Sequence, residues 1–237
     1  MSGKGARFAE MGYLLPKPLI DVNGKPMIQR VVENLGIGAR HIFLVLKDHY
    51  DQFDLKTILP SICGENLCEI IVVEKVTEGA ACTCLLAEEL INNDDQLIIA
   101  NSDQLIMGWN SEDFLTAMKN EKADGGILTF TATEPKWSFA KVREGTNIIT
   151  EVAEKNPISD KATVGVYWYA KGKDFVQGAH QMIQKNIRTR NEFYVCPVFN
   201  EVIANGAKIL DYPVDGMIGL GTPLDFENYM KELISCA

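Results

Sequence analysis

The sequence predicts an α/β fold, a mostly parallel sheet with helices on both faces, carried by 237 residues. Three observations predict it. Short apolar runs recur along the chain. Stretches with helical periodicity separate them, which calls for crossover connections between parallel strands. From about Lys136 onward the pattern turns antiparallel, so a smaller antiparallel region covers the first part.

In chain order, the first strand is expected at 41–46 (HIFLVL), then 69–74 (EIIVVE), 96–100 (QLIIA), 126–132 (GILTFTA) and 164–170 (VGVYWYA). Helices are expected at 27–36, ending on a glycine C-cap, and at 80–90, 111–121, 175–186 and 199–205. Along 164–170, strand alternation puts Tyr167 and Tyr169 on one face and Trp168 on the other, so at most one side of that strand lines a pocket.

The length suits one domain over 1–237. Hydrophobic residues make up 46% and charged residues 23%, an ordinary globular balance. The net charge of -9 argues against a general nucleic-acid surface, while leaving room for a local phosphate pocket. The six cysteines form no CxxC pair and read as free thiols of a reducing, cytoplasmic protein. No apolar run approaches the roughly 20 residues that cross a bilayer, and no signal peptide is present.

Two local patterns carry chemistry. Gly3-Lys4-Gly5-Ala6-Arg7 matches neither the dinucleotide fingerprint nor the P-loop. Its glycines let backbone N–H groups turn toward an anion, Arg7 offers a bidentate phosphate clamp, and Lys17 adds charge for a developing anion. The same residues also read as a tail with basic surface groups. Asp103 follows the apolar run 97–100, at the strand end where open α/β sheets gather ligands. A carboxylate there suits Mg2+, with Asn101, Ser102 and Gln104 to orient it, and equally suits a turn cap.

In this order the motifs resemble those of the sugar-phosphate nucleotidyltransferase family. The likeness is nearest the capsule and surface-polysaccharide branch, which also holds phosphocholine-type cytidylyltransferases. It runs from Gly3 to Tyr229. Its marks are Gly3, Gly5, Arg7, Lys17 and Pro18; the segment EKVTEGAA from Glu74; Asp103 in NSDQ; Glu154-Lys155; Gly165; Asn191, Glu192 and Tyr194; and the closing GLGTP from Gly219. The resemblance implies a Rossmann-like sheet of the nucleotide-diphospho-sugar transferase type. It implies transfer of an NMP from an NTP to a small phosphorylated acceptor, a hexose 1-phosphate first and phosphocholine or an amino-phosphate as the alternative, with pyrophosphate released.

The resemblance implies that 1–135 mainly binds the nucleotide and that 136–237 mainly binds the acceptor and closes the fold, with Mg2+ as cofactor and a homodimer as assembly. Arg7, Lys17 and Asp103 take the catalytic roles. Gly3, Lys4, Gly5, Glu74, Gly79, Ala80 and Ser102 bind the nucleotide. Lys141, Glu154, Lys155, Gly165, Asn191, Glu192 and Tyr194 bind the acceptor. Glu74 favours CTP, because a carboxylate accepts from cytosine N4 and repels the O4 of uracil.

Two departures stand out. Gly219 occupies the place where many members carry a second metal aspartate, leaving Asp103 alone with Asp215 or Asp211 as substitutes. Members also carry an apolar strand immediately before the glycine loop, which this sequence lacks, so the first core strand is expected to be absent from it, either because the true start lies upstream, the favoured reading, or because the chain is a shortened form. Those departures keep a catalytically inert homologue in view. A glycosyltransferase of related fold is disfavoured, since Ser102-Asp103-Gln104 lacks the paired carboxylates of a DxD.

Overall fold

A computed structural model describes residues 1, 3 and 5–235. Lys4, expected in the nucleotide loop, lies outside the described residues with Ser2, Cys236 and Ala237. The chain begins with helix α1 (Ala6–Glu10), a 3-10 turn at Lys17–Leu19, α2 (Met27–Leu35), β1 (His41–Leu46), α3 (Lys47–Gln52), α4 (Leu55–Cys63) and β2 (Cys68–Val73). Next come α5 (Ala80–Leu85), α6 (Glu88–Ile91), β3 (Leu97–Ala100), β4 (Gln104–Met107), α7 (Ser111–Asn120) and β5 (Gly125–Thr131). The remainder is β6 (Ser138–Val142), β7 (Ile149–Glu154), β8 (Lys161–Tyr169), α8 (Gly172–Gln184), α9 (Val198–Ala204), β9 (Ile209–Pro213), β10 (Gly216–Gly219) and α10 (Pro223–Ser235).

Local chemistry sets several boundaries. Gly36, at φ 59°, closes α2 in the left-handed conformation that a side chain resists. Asn110 caps α7 by accepting from the backbone N–H groups of Glu112 and Asp113. The single helix expected at 80–90 is instead two, α5 and α6, broken at 86–87. The five expected strands all form, within a few residues of their expected ends.

Compactness does not divide the chain at 135. One unit is 1–76, 102–107 and 217–237; the other is 77–101 and 108–216. In the first unit β1 and β2 pair in parallel, His41 opposite Cys68 through Leu46 opposite Val73. Phe43 and Val45 from β1 pack with Leu55 and Leu59 of α4 and Ile28 of α2. β4 pairs with β10, and its other side is held by Asn34 of α2, which receives the Ile106 N–H at 2.7 Å and donates to the Ile106 carbonyl at 3.0 Å. One side chain thus satisfies backbone groups that a neighbouring strand would otherwise bond. No strand precedes Gly5 among the described residues, and β1 has β2 as its one ladder partner there.

The second unit holds a six-stranded sheet in the order β7-β6-β8-β5-β9, with β3 also on β8. This sheet is mixed: β5 and β9 are parallel, and β8 runs antiparallel to β3, β5 and β6. The C-terminal half of β8 lies between β3 and β5, and its other end meets β6 at Phe139. The register shift between Ile127 and Thr129 accommodates this change of neighbour, and Gly165, at φ 76°, takes the left-handed turn within β8.

Tyr167 and Tyr169 face Phe199, with the Tyr169 ring stacked on it at 4.5 Å, while Trp168 meets Phe114 on the opposite side. The alternation holds, and all three rings are core. No helix among the described residues is long and apolar enough to cross a membrane. The five described cysteines are free, and burial raises the Cys84 thiol to about 12.

Candidate functional site

In the first unit the glycine loop is fixed from beneath. Helix α1 spans only five residues, too few to hold together alone. Phe8 anchors it, buried edge-on against Tyr13 at 5.2 Å and Phe226 at 6.2 Å. Gly5, at φ 62°, turns the chain into the helix and receives the Phe8 N–H at 2.9 Å. With Phe8 pointing in, Arg7 is left exposed. A Cβ on Gly5 would stand 3.6 Å from the Lys17 Cβ, so the loop and the lysine lie side by side. Gly3 is exposed at the loop's start.

Lys17 rides on the 3-10 turn that buries Pro18 and Leu19, and its ammonium hydrogen-bonds and ion-pairs with Asp103. Both side chains are about one-fifth exposed, at 22% and 20%. The closing loop reaches the same aspartate: the Leu220 N–H donates to the Asp103 carbonyl at 2.8 Å, and a Cβ on Gly221 would come within 3.1 Å of Asp103 Oδ2. Thr222, the next residue, caps α10 by receiving the Asp225 N–H at 3.2 Å and donating to its carboxylate at 2.7 Å. Sequence-distant motifs therefore converge on one carboxylate. Ser102 precedes it in the same loop, and Glu74 is exposed just beyond the end of β2.

Among the described residues no three His, Cys, Asp or Glu side chains converge as metal ligands. Asp103 supplies one hard oxygen donor group. That fits Mg2+, which keeps several waters and takes substrate phosphates rather than an all-protein cage. Of the two proposed substitutes, Asp211 is already engaged. Asp211 is buried, accepts from Thr129 and pairs with Lys161 at 2.8 Å. The Asp215 carboxylate packs so closely on Gly108 that a Cβ there would fall 1.9 Å from Oδ2.

The second unit brings Glu154, Lys155, Tyr194 and Glu192 of the expected acceptor residues together at the end of β7. Glu154 has a 7% exposed side chain, accepts from Ser138 and lies 3.6 Å from the Lys155 ammonium. Burial raises its carboxyl above the ordinary 4.5, and the Ser138 hydrogen bond and Lys155 charge oppose that rise. Lys155 has φ 55°, donates its N–H to the Trp137 carbonyl at 2.8 Å, and sets its ammonium 4.0 Å above the Tyr194 ring while bonding to the phenol oxygen. Burial and the hydrogen-bonded Glu192 carboxylate both raise the Tyr194 phenol.

Asn191 stands at φ 66° in the turn before Glu192. Gly165 contributes its carbonyl to the Asn101 N–H at 2.9 Å, a structural role inside the sheet. Lys141 is apart from the cluster, its side chain 58% exposed and 3.9 Å from Glu151 across the β6–β7 pair.

The segment expected to bind the base forms a tight turn ahead of α5. Gly79, at φ 142°, has no room for a side chain: a Cβ would fall 2.4 Å from the Phe193 carbonyl oxygen. Its own carbonyl accepts from Thr77 Oγ1 at 2.8 Å and the Thr83 N–H at 3.0 Å. Ala80, beside it, is exposed. Sequence reading missed Ser138, Asn34 and Arg188. Each acts on a residue far away in the chain, so spacing along the sequence carried no sign of them.

The nucleotidyl transferase family profile matches residues 1–222. Among curated proteins, the chain is 27% identical over 217 residues to the Bifunctional protein GlmU of Pseudoalteromonas atlantica, covering 88% of this chain and 44% of that protein. It is 24% identical to the Mannose-1-phosphate guanyltransferase of Yarrowia lipolytica, covering 70% and 47%. The chain thus spans somewhat less than half the length of these relatives. Among solved structures, a nucleoside-diphosphate-sugar pyrophosphorylase from Vibrio cholerae RC9 superimposes with a TM-score of 0.84 at 22% identity, covering 98% of each chain. A putative glucose-1-phosphate thymidylyltransferase from Bacillus anthracis gives 0.77 at 19%, covering 97% and 91%. These two likenesses show the fold.

Proposed function

The chain belongs to the nucleotidyl transferase family, and on that premise we propose that it transfers an NMP from an NTP to a small sugar phosphate and releases pyrophosphate. The observation that carries the reading is the Lys17–Asp103 pair, drawn from positions 86 residues apart and bordered by Gly5 and Gly221. An acceptor phosphate oxygen attacks the α-phosphorus, and pyrophosphate leaves from the opposite side. The nucleophile is already anionic, so the protein's work is to align two polyanions and offset their charge. Exposed Arg7 clamps the departing β- and γ-phosphates. Lys17 exchanges its partner, from Asp103 to the charge growing around the α-phosphate. Asp103, released, is the residue that would hold Mg2+, whose positive charge neutralises phosphate oxygens when bound.

Lys155 receives the acceptor phosphate. Glu154, held by Ser138, orients it, and Asn191, Glu192 and Tyr194 provide polar groups for the rest of the acceptor. Gly79 and Ala80 offer backbone to the nucleotide, and Glu74 favours cytosine, hence CTP. A hexose 1-phosphate is the favoured acceptor, since two of the similar proteins carry mannose 1-phosphate and glucose 1-phosphate in their names.

A quaternary-amine acceptor such as phosphocholine is less well supported. It needs an open aromatic cage, whereas Phe139, Tyr167, Trp168 and Tyr169 are buried and Lys136 and Lys155 already stand over the rings of Trp137 and Tyr194. The test is a matrix of the four NTPs against hexose 1-phosphates, phosphocholine and other small phosphomonoesters with Mg2+, read by product mass. A nucleoside diphosphate sugar from CTP is the expected product. A CDP-choline product would install the alternative acceptor, and no product with any pair would refute the reading.

A further inference from the structure

The geometry points to Arg188 as a positioning residue that ties the acceptor loop to the nucleotide turn, so that the two bind their ligands as one body. The inference rests on the nucleotidyl-transfer reading and adds a coupling to it. Arg188 immediately precedes a two-residue hairpin. Thr189 and Glu192 exchange both backbone hydrogen bonds at 3.0 Å, while Arg190 and Asn191 stand at φ 48° and 66°, the positive pair that such a turn requires. From there the guanidinium makes four contacts. It donates to Asn186 Oδ1 at 2.6 Å, to the Asn191 carbonyl at 3.1 Å and to Glu78 Oε2 at 2.6 Å, and its centre lies 3.9 Å from the Phe193 ring centroid. Only a planar group with several fixed donors can stack and bond in three directions at once.

What Arg188 covers is the joint between the two segments. The Phe193 N–H donates to the Glu78 carbonyl at 2.9 Å, and the Phe193 carbonyl accepts from the Ala81 N–H at 3.0 Å. Gly79 lies between these bonds, pressed onto the Phe193 backbone. One residue of the acceptor loop therefore fastens the nucleotide turn at both ends. The next residue is Tyr194, whose phenol oxygen takes the Lys155 hydrogen bond. A ligand that engages Lys155 and Tyr194 pulls on a backbone already bonded to 78–81, with a single peptide between them.

The Glu78 carboxylate is 68% exposed, so its ion pair with Arg188 adds little to stability. Phe193 itself is buried, and its backbone bonds to Glu78 and Ala81 do not involve the guanidinium. Arg188 thus fixes the mutual placement of the two segments rather than the fold. Loss of that placement weakens both substrates together, since coupling between two sites is reciprocal.

The experiment compares wild type with Arg188→Ala and Arg188→Lys as full chains. Amide hydrogen exchange of peptides covering 77–86 and 188–195 is read beside thermal unfolding. Kinetics follow with whichever NTP and acceptor pair turns over in the matrix above. Arg188→Ala is expected to speed exchange in these two peptides alone and to leave the unfolding midpoint within about 2 °C. It should raise KM for nucleotide and acceptor together, each about tenfold, with kcat within about twofold. Arg188→Lys keeps the charge beside Glu78 and should not restore either constant. The inference is overturned by unchanged exchange, by a rise in one KM alone, by full rescue with lysine, or by loss of protection spread across the whole sheet. Absence of turnover in wild type with every pair would instead remove the nucleotidyl-transfer reading, and the exchange result would still decide whether Arg188 fastens the joint.

Discussion

The two units hold their chemical groups by different means. In the unit built around β8, the working groups are set on or directly beside a six-stranded sheet: Glu154 ends β7, Ser138 begins β6, and Lys155 bonds to Trp137 across the same pair. In the unit built around β1, strands form two separate pairs, Arg7 stands on the five-residue helix α1, and Lys17 and Asp103 stand on a short turn and a loop. Their placement rests on single anchors, Phe8 under α1, Asn34 against β4 and Gly221 beside Asp103. A sheet distributes the task of positioning over many backbone bonds, whereas a loop concentrates it in a few side chains.

Substitutions sharpen the contrast. Phe175→Ala removes a fully buried ring that packs on Tyr169 in the sheet unit. Denaturant titration should show a loss of about 3–5 kcal/mol. Phe8→Ala in the loop unit should lose less, about 2 kcal/mol, yet speed amide exchange over 5–13 and impair turnover by freeing Arg7. Equal stability losses with exchange at 5–13 unchanged would break the comparison. Asp103→Asn should lower turnover at least about a hundredfold with the unfolding midpoint little changed, a loop residue spent on chemistry rather than stability. An active Asp103→Asn protein would contradict its role.

Glu154 gives a pH-dependent case on the sheet side. Its carboxyl is raised in the folded protein, mainly by burial, so the proton is held more tightly there than in the unfolded chain. The resulting contribution to stability is complete below the ordinary 4.5 and is lost as pH rises through the folded value. Glu154→Gln, which stays neutral, should therefore gain stability relative to wild type between pH 4 and pH 7. Denaturation midpoints at those two pH values measure it, and a relative loss toward pH 7 would show that Lys155 and Ser138 outweigh burial. The smallest effect belongs to Lys141→Ala, on a solvated strand face: within about 0.5 kcal/mol in stability, and turnover unchanged in the assay that detects the wild-type product.

The same contrast explains what the sequence disclosed. The apolar runs at 41–46 and 164–170 are continuous and strongly patterned, and both form strands. β6 and β7 escaped because Ser138–Val142 and Ile149–Glu154 mix charge with apolar residues, their burial coming from neighbours distant in sequence. The helix expected at 80–90 starts as expected on Gly79, which the Phe193 backbone fixes, and breaks at 86–87. Arg7, Lys17 and Asp103 were legible as a set of residue types in order. That Lys17 ion-pairs with Asp103 and that Phe8 exposes Arg7 required the fold. Arg188 was invisible for the same reason: its partner Glu78 lies 110 residues away.

The central claim is attack at the α-phosphorus, and two parallel label-transfer reactions test it most directly, using NTP labelled at the α- or the γ-phosphate with Mg2+ and a hexose 1-phosphate. The account predicts that α-label enters the sugar nucleotide and γ-label leaves in pyrophosphate. Transfer of γ-label to the acceptor, or its release as orthophosphate, would place the chemistry at the other end of the triphosphate and contradict it.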